Sequence, residues 1–201
     1  AIIDYDAGNI KSVEKAVQFL GEEAIITRDR DVIMDSSGVI LPGVGSFGDA
    51  MGKINEYGLK NVIYDVVDSG KPFLGICLGL QLLFKTSEET PGVTGLGIVD
   101  GQILRIPDAL GLKIPQIGWN SLDINPKARL FKGLPEHPYV YFVHSYYLKA
   151  DHEEDVAAST FYSTNIHASI EHGNVFACQF HPEKSSTVGL QILKNFIELE
   201  A

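Results

Sequence analysis

The sequence predicts an α/β fold: a central, mostly parallel sheet flanked by helices, with an added region of mixed or antiparallel strands in the second half. Short apolar runs alternate with apolar residues at helical spacing over the first half of the chain. Strand-like runs separated by turn residues follow residue 95. The 201 residues, 45% of them hydrophobic, can bury one substantial core. We therefore expect a single domain over residues 1–201.

The individual elements of the first half follow from runs of apolar residues and their spacing. Buried strands are predicted over residues 1–5, 23–27, 38–42 and 72–76, and helices from Ile10 to Leu20 and over residues 60–70. The later strands are predicted in GIVDGQILRI, YVYFVHSYYL, DVAASTFY, HASIEH and VFACQF. An amphipathic helix is predicted over residues 188–199.

Charge and cysteine content exclude several classes of protein. A formal net charge of -10 argues against nucleic acid as a partner, because a phosphate-backbone binder needs a dense basic face. No apolar run approaches the roughly 18 residues of a membrane span. Two cysteines make no disulfide framework, and the start has neither the basic nor the apolar region of a secretion signal. We expect a cytoplasmic protein with free thiols.

The stretch GICLG at residues 75–79 places Cys77 between two glycines, directly after a predicted strand and before a helical pattern. Glycines at this junction permit a tight turn that lifts the middle side chain from the sheet edge, as in a nucleophile elbow. The helix that follows would stabilise a thiolate and offer the Leu78 N–H to an oxyanion. A buried core cysteine beside a packing glycine is the alternative.

A candidate general base lies near the other end of the chain, in QFHPEKSS at residues 179–186. His181 follows a predicted strand, and Glu183 lies two residues on, after a proline that stiffens the turn. In open α/β sheets, catalytic residues gather at the carboxyl ends of strands. Cys77, His181 and Glu183 therefore form a possible triad, although His181 alone is equally typical of a surface turn.

The other cysteine, the other histidines and one glycine-rich loop are less informative. Cys178 lies within a predicted strand and is expected in the core. His137, His152, His167 and His172 lie in polar contexts and receive no role. The loop LPGVGSFGDAM (41–51) exposes backbone N–H groups for a developing negative charge or a phosphate, yet an ordinary strand-to-helix turn explains it as well.

Seven segments, in order along the whole chain, resemble the class I (triad) glutamine amidotransferases, and within them the HisH family of glutaminase subunits of imidazole glycerol phosphate synthase. They are DYDAGNIKSV (4–13), LPGVGSFGDAM (41–51), GICLGLQLLFKTSEE (75–89), GLGIVDGQI (95–103), QIGWNSL (116–122), YFVHSYY (141–147) and QFHPEKS (179–185). Leu80 departs from the methionine common there in that family, a volume-preserving exchange. The resemblance implies a flavodoxin-like class I glutamine amidotransferase fold.

The resemblance also implies roles for individual residues. Cys77 would be the nucleophile, His181 the acid and base, and Glu183 the group that orients His181. Gly43, Val44 and Leu78 would supply the oxyanion hole through their peptide N–H groups. L-Glutamine would be bound by Gly45, Gln81, His144, Ser145 and Tyr146. From the residues alone, Gln81 is equally an exposed helix position and His144 a core histidine.

The implied partner is the cyclase subunit HisF, a (β/α)8 barrel that would receive ammonia and form imidazole glycerol phosphate and AICAR. The docking face would include Asn9, Trp119, Asn120, Tyr141 and Lys184, although Trp119 alone is equally typical of a core anchor. No metal or organic cofactor is expected. Two other classes stay open: a stand-alone cysteine hydrolase or peptidase, and a catalytically silent scaffold or nucleotide-binding α/β protein.

Overall fold

The computed structural model describes residues 1–199. Its α-helices are α1 (Ile10–Phe19), α2 (Arg30–Asp35), α3 (Phe47–Glu56), α4 (Leu59–Asp68), α5 (Leu78–Leu82) and α6 (Ser186–Ile197). The strands of the first half are β1 (Ile2–Ile3), β2 (Ile26–Thr27), β3 (Val39–Leu41), β4 (Phe73–Ile76) and β5 (Thr86–Ser87). Those of the second half are β6 (Gly101–Arg105), β7 (Gln116–Ser121), β8 (Asp123–Ile124), β9 (Tyr139–His144), β10 (Tyr146–Ala150), β11 (Val156–Tyr162), β12 (Thr164–His172) and β13 (Val175–Cys178).

The central sheet has eight strands in the order β2-β1-β3-β4-β13-β12-β11-β8. Its first five strands run parallel, and β12, β11 and β8 add antiparallel strands to them. Smaller sheets are formed by β10-β6-β5 and by the pair β7-β9. The prediction of a mostly parallel sheet with a mixed extension is confirmed.

Helices cover both faces of the central sheet because successive strand residues point to opposite sides. Ile3 and Leu41 pack in a core with α3 and α4. Ile2 and Ile40 pack in a second core with α1 and α6. The predicted helix from Ile10 to Leu20 is confirmed in α1, although its last residue is Phe19. None of the helices in residues 1–199 is both long and apolar enough to cross a membrane.

Predicted strands such as that over residues 1–5 are shorter in the structure, where β1 spans Ile2–Ile3, and two others differ in burial or in the sheet they join. The segment 23–27 was expected to be a buried strand, but only Ile26–Thr27 pairs with β1, and this edge strand is half-buried. The run YVYFVHSYYL is divided at Ser145 between β9 and β10, which belong to different sheets. The run is apolar or aromatic on both sides of His144 and Ser145, so the pattern contains no sign of the change of sheet.

Candidate active site

Three chain segments meet at one edge of the central sheet, where β3, β4 and β13 end side by side. Leu41 pairs with Gly75, and Cys178 pairs with Ile76. The loop after Leu41, the turn at Cys77 and the segment that begins at Gln179 therefore emerge together. This is the edge at which the candidate triad was predicted from the sequence.

Cys77 occupies a sharp turn between β4 and α5, with φ 54° and ψ -108°. Such a left-handed backbone is uncommon for a residue with a side chain and is stabilised by its surroundings. A side chain at Gly79 would bring its Cβ within 1.8 Å of the Leu41 carbonyl oxygen, so only glycine fits there. The Cys77 side chain is 7% exposed. The structure thus forms the elbow expected from GICLG.

His181 and Glu183 form a buried ion-pair contact. The His181 Nδ1 lies 2.7 Å from Glu183 Oε1, and the two side chains are 1% and 0% exposed. Because a carboxylate only accepts, Nδ1 carries the proton of this hydrogen bond. Nε2 has no hydrogen-bond partner among the described residues. Burial alone would lower the pKa of His181, but neighbouring Cys77 and Glu183 raise it to about 9.

Asn9 holds the same carboxylate from the other side. Its Nδ2 donates to Glu183 Oε1 at 2.5 Å, although the two residues are 174 positions apart. Asn9 has φ 67° at the start of α1 and makes no side-chain cap for that helix. Its side chain is thus directed at the triad. Asn9, which was expected at the partner interface, thus contacts Glu183. No local sequence pattern indicates this contact.

The groups expected to form the oxyanion hole are adjacent but do not converge. The Leu78 N–H donates to the Gly43 carbonyl oxygen at 3.2 Å. In a trans peptide the carbonyl and the following N–H point in opposite directions, so the Val44 N–H is directed away from Leu78. A carbonyl therefore occupies the position that an oxyanion would take.

Tyr5 holds the start of this loop and was not identified from the sequence. Its hydroxyl donates to the Pro42 carbonyl oxygen at 2.7 Å, and the side chain is 2% exposed. Burial raises the pKa of Tyr5, and the nearby Cys77 charge adds to this, so the phenol remains a donor. A Cβ at Gly43 would lie 2.0 Å from the Tyr5 hydroxyl, so a larger residue there would have to displace the Tyr5 side chain.

A cavity of about 290 Å³ opens beside Cys77. The predicted glutamine-binding residues all line it, together with three residues predicted for other roles and three without a predicted role. The lining residues are Val44, Gly45, Cys77, Leu78, Gln81, Glu89, Pro115, Val143, His144, Ser145 and Tyr146. Gln81 is 6% exposed and is therefore not an ordinary surface position on its helix.

The His144 ring is part of the cavity wall and is held from both sides. Nδ1 donates to the Tyr146 carbonyl oxygen at 2.8 Å, and Nε2 lies 2.8 Å from the Gln116 side-chain amide. Burial lowers the pKa of His144 to about 4, and the nearby His181 charge adds to this against the opposing Tyr146 hydrogen bond. The imidazole is therefore neutral near pH 7 and fixes the position of the Tyr146 carbonyl.

Glu89 places a carboxylate at the cavity. Its Oε2 accepts from the Phe47 N–H at 2.7 Å, at the start of α3. This contact satisfies one of the free N–H groups of the helix terminus and leaves Oε1 for another donor. No local sequence pattern indicates this pairing, because the two residues are 42 positions apart.

The remaining residues expected at a partner interface lie at or near the surface. Trp119 and Tyr141 are paired across β7 and β9 with ring centroids 6.0 Å apart, and Trp119 is 53% exposed. Trp119 is therefore not a core anchor. Lys184 is exposed, whereas half-buried Asn120 donates to the Phe161 carbonyl oxygen at 3.0 Å.

Two of the residues given no catalytic role are buried. Cys178 is fully buried in β13, as expected, and burial raises the pKa of its thiol. His167 was expected in a polar context, but it is 6% exposed and its Nδ1 accepts from the Ala150 N–H at 3.1 Å. Among residues 1–199 no group of three or more His, Cys, Asp or Glu side chains is arranged to hold a metal ion.

The chain is similar over its length to proteins of one enzyme family. The family model described as glutamine amidotransferase class-I matches residues 1–199. The chain is 49% identical to imidazole glycerol phosphate synthase subunit HisH of Moorella thermoacetica, over 99% of this chain and 94% of that protein. It is 48% identical to the HisH subunit of Chlorobaculum tepidum, over 98% of each chain.

Solved structures share the architecture at lower sequence identity. A crystal structure of a glutamine amidotransferase superposes with a TM-score of 0.76 at 22% identity, over 98% of this chain and 97% of that chain. At this identity the superposition shows a common fold.

Proposed function

The chain belongs to the class I glutamine amidotransferases, among the HisH subunits of imidazole glycerol phosphate synthase, and on that premise we propose that Cys77 cleaves L-glutamine to glutamate and ammonia. The observation that carries this proposal is the meeting of Cys77 with the buried His181 and Glu183 pair beside one cavity. The proposal treats residues 1–201 as a single catalytic domain without a metal or organic cofactor.

The chemistry requires a nucleophile, a proton carrier and charge stabilisation, because an amide is a poor electrophile with a poor leaving group. The Cys77 thiolate attacks the side-chain amide carbon, and the carbonyl electron pair moves to oxygen. Protonated His181 donates its proton to the nitrogen as the C–N bond breaks, which releases ammonia and leaves a thioester. His181 then takes a proton from water, whose oxygen attacks the thioester and regenerates the thiolate.

Turnover requires a change in the loop at Gly43. The Leu78 N–H is occupied by the Gly43 carbonyl. Rotation of the Gly43–Val44 peptide would free the Leu78 N–H and turn the Val44 N–H towards the oxyanion. A missing oxyanion donor costs roughly 2.7–4 kcal/mol of barrier. The chain alone is therefore expected to be a slow glutaminase, and an event that turns this peptide activates it.

Glutamine is proposed to bind with its side-chain amide at Cys77 and its amino-acid end at Glu89. The free Oε1 of Glu89 suits the ammonium group of the substrate, since no cationic side chain lines the cavity within residues 1–199. Gln81 and the backbone of Gly45, Ser145 and Tyr146 supply the remaining polar contacts.

The ammonia is proposed to pass to the cyclase subunit HisF, which uses it to form imidazole glycerol phosphate and AICAR in the cytoplasm. Ammonia that reaches water is protonated and lost, so the partner must cover the site. One face of the β7–β9 pair supports this docking site, with exposed side chains of Ile117, Trp119 and Tyr139. Neither nucleic acid nor a membrane is a proposed partner.

Replacement of the nucleophile tests this division of labour. In the complex with the cyclase subunit, Cys77→Ala should abolish synthesis from glutamine while synthesis from added ammonium salts continues. Cys178→Ala is the matched control, because this second thiol is buried in β13, and glutamine-dependent synthesis should persist. Loss of both activities in Cys77→Ala, or retention of glutamine-dependent synthesis, would contradict the proposal.

Glutamate release distinguishes the amidotransferase from a stand-alone cysteine hydrolase. We expect turnover of glutamine to rise strongly when the cyclase subunit and its nucleotide substrate are added to the chain. Equal turnover with and without the partner would favour the stand-alone hydrolase.

A further inference from the structure

We propose that Gln179 is a further active-site residue, whose side-chain amide donates a hydrogen bond to the Cys77 sulfur and stabilises its thiolate. The proposal rests on the assignment of Cys77 as the nucleophile. Gln179 follows β13 and lies two residues before His181. Nothing in the sequence distinguishes it from an ordinary residue of this strand end.

The contact joins the side chains of two residues that directly follow neighbouring strands. Gln179 Nε2 lies 3.7 Å from Cys77 Sγ, within the longer range of hydrogen bonds to sulfur, and Gln179 is fully buried. Its backbone N–H donates to the Ala168 carbonyl oxygen at 2.8 Å, which fixes the base of the side chain. A polar side chain without access to water is thus directed at the reacting atom.

The orientation of this amide follows from a backbone carbonyl. The Tyr146 carbonyl oxygen only accepts, so the Gln81 atom that lies 3.2 Å from it must be the nitrogen. That same Nε2 donates to Gln179 at 3.1 Å, so the Gln179 atom there must be the oxygen. The Gln179 nitrogen is then the atom that faces Cys77. A flipped amide would place two donors in contact and direct a lone pair at the sulfur.

The alignment matters because Cys77 changes its charge during the reaction. A hydrogen bond to an ionised acceptor is roughly twice as strong as one between neutral groups, and the low polarity of the interior strengthens it further. Gln179 therefore favours the thiolate over the thiol. Since Gln81 and Tyr146 also line the cavity, the same chain of hydrogen bonds connects the substrate site to the nucleophile.

The test replaces the donor while keeping the volume. In Gln179→Met, we expect the pH midpoint of Cys77 alkylation by iodoacetamide to rise by about one unit, because one hydrogen bond to the thiolate is lost. Peptide mass spectrometry assigns the modified cysteine. In the complex with the cyclase subunit, kcat for glutamine should fall roughly tenfold near neutral pH with KM little changed, since Gln179 has no exposed surface in the cavity.

Ser169→Ala is the matched structural control. Ser169 is also fully buried and donates to the Ala177 carbonyl oxygen at 2.7 Å, so its replacement removes one buried hydrogen bond without a change at sulfur. The pH profile of Cys77 alkylation in this variant should match that of the chain without substitutions. Thermal unfolding of every variant shows whether it is folded at the temperature of the assay.

Gln81→Met provides a second, independent test, including the case in which Gln179→Met does not fold. It removes the group that orients Gln179 and should raise the alkylation midpoint in the same direction by a smaller amount. An unchanged midpoint in folded Gln179→Met would overturn the role of Gln179, and so would an unchanged midpoint in Gln81→Met if Gln179→Met does not fold. A wrong assignment of the nucleophile gives a different result: Cys77→Ala would then retain glutamine turnover, whatever the alkylation profile of the other variants.

Discussion

Glu183 Oε1 accepts hydrogen bonds from two side chains, and this arrangement holds the candidate triad in place. His181 Nδ1 and Asn9 Nδ2 both contact Oε1, while Oε2 has no hydrogen-bond partner among the described residues. The orientation of a buried carboxylate group is set by the hydrogen-bond donors that contact it. Asn9 therefore fixes the carboxylate plane in which His181 is held, and we infer that it positions the triad.

We predict that Asn9→Gly lowers kcat for glutamine about tenfold, because a hydrogen bond to a charged, buried group is lost. Glycine retains the left-handed backbone at φ 67° and thus isolates the effect of the side chain. The measurement is glutamate release by the complex with the cyclase subunit. Synthesis from ammonium salts serves as the control and should be unaffected. An unchanged kcat with weaker partner binding would instead make Asn9 an interface residue.

Residue identity alone was sufficient to suggest Cys77, His181 and Glu183. Each lies in a short stretch whose glycines or proline indicate a tight or stiff turn at the end of a strand. It was insufficient for Tyr5, Asn9, Glu89 and Gln179. Each acts through a contact with a residue at least 37 positions away in the chain. Such contacts depend on how the strands are ordered in the sheet, and no spacing along the sequence encodes them.

The loop between β3 and α3 is held at both ends and exposed in its middle. Tyr5 holds the Pro42 carbonyl, and the next carbonyl, that of Gly43, accepts from the Leu78 N–H. Between this point and the Phe47 N–H, which Glu89 holds, Val44 and Gly45 are exposed. Rotation of the Gly43–Val44 peptide thus depends on how firmly the Pro42–Gly43 peptide is held, and Tyr5 becomes the residue that restrains the loop.

We predict that Tyr5→Phe raises glutamine turnover by the chain alone about fivefold, as expected for one hydrogen bond of roughly 1 kcal/mol. The loss leaves the Pro42 carbonyl free, so the adjacent peptide turns more readily. Tyr64→Phe is the control, because the Tyr64 hydroxyl also donates to a backbone carbonyl, that of Leu96, but lies outside the loop. Unaltered or lower turnover in Tyr5→Phe would show that it does not restrain the loop.

The elements themselves were predictable to different degrees. Strands buried on both faces, such as β3 and β4, are read correctly from continuous apolar runs. The two-residue strands β5 and β8 bury too little to leave a pattern, and the apolar run at β2 predicted a longer and more buried strand than the one that forms. The six-residue helix α2 is likewise too short for helical periodicity to be recognised.

The candidate active site and an apolar surface lie on the same side of the protein. The cavity includes Val143 of β9, and the same strand carries Tyr139 and Tyr141 on the side that presents Trp119. Because alternate residues of paired strands share a face, Ile117, Trp119, Tyr139, Tyr141 and Val143 form one patch. A partner docked on this patch would reach the mouth of the cavity, as transfer of ammonia requires.

We predict that Trp119→Ala weakens binding of the cyclase subunit by roughly thirtyfold, because a large aromatic near the centre of an interface commonly contributes about 2 kcal/mol. Titration calorimetry measures the Kd.

Phe19→Ala is the matched control: Phe19 is 76% exposed but ends α1, at the opposite end of that helix from Asn9. Its Kd should be unchanged. Trp119 is only half-buried, so thermal unfolding should differ little between the variants. Equal weakening in both variants, or in neither, would place the docking face elsewhere, and the proposed route for ammonia from Cys77 to the partner would then have to leave the cavity on another side.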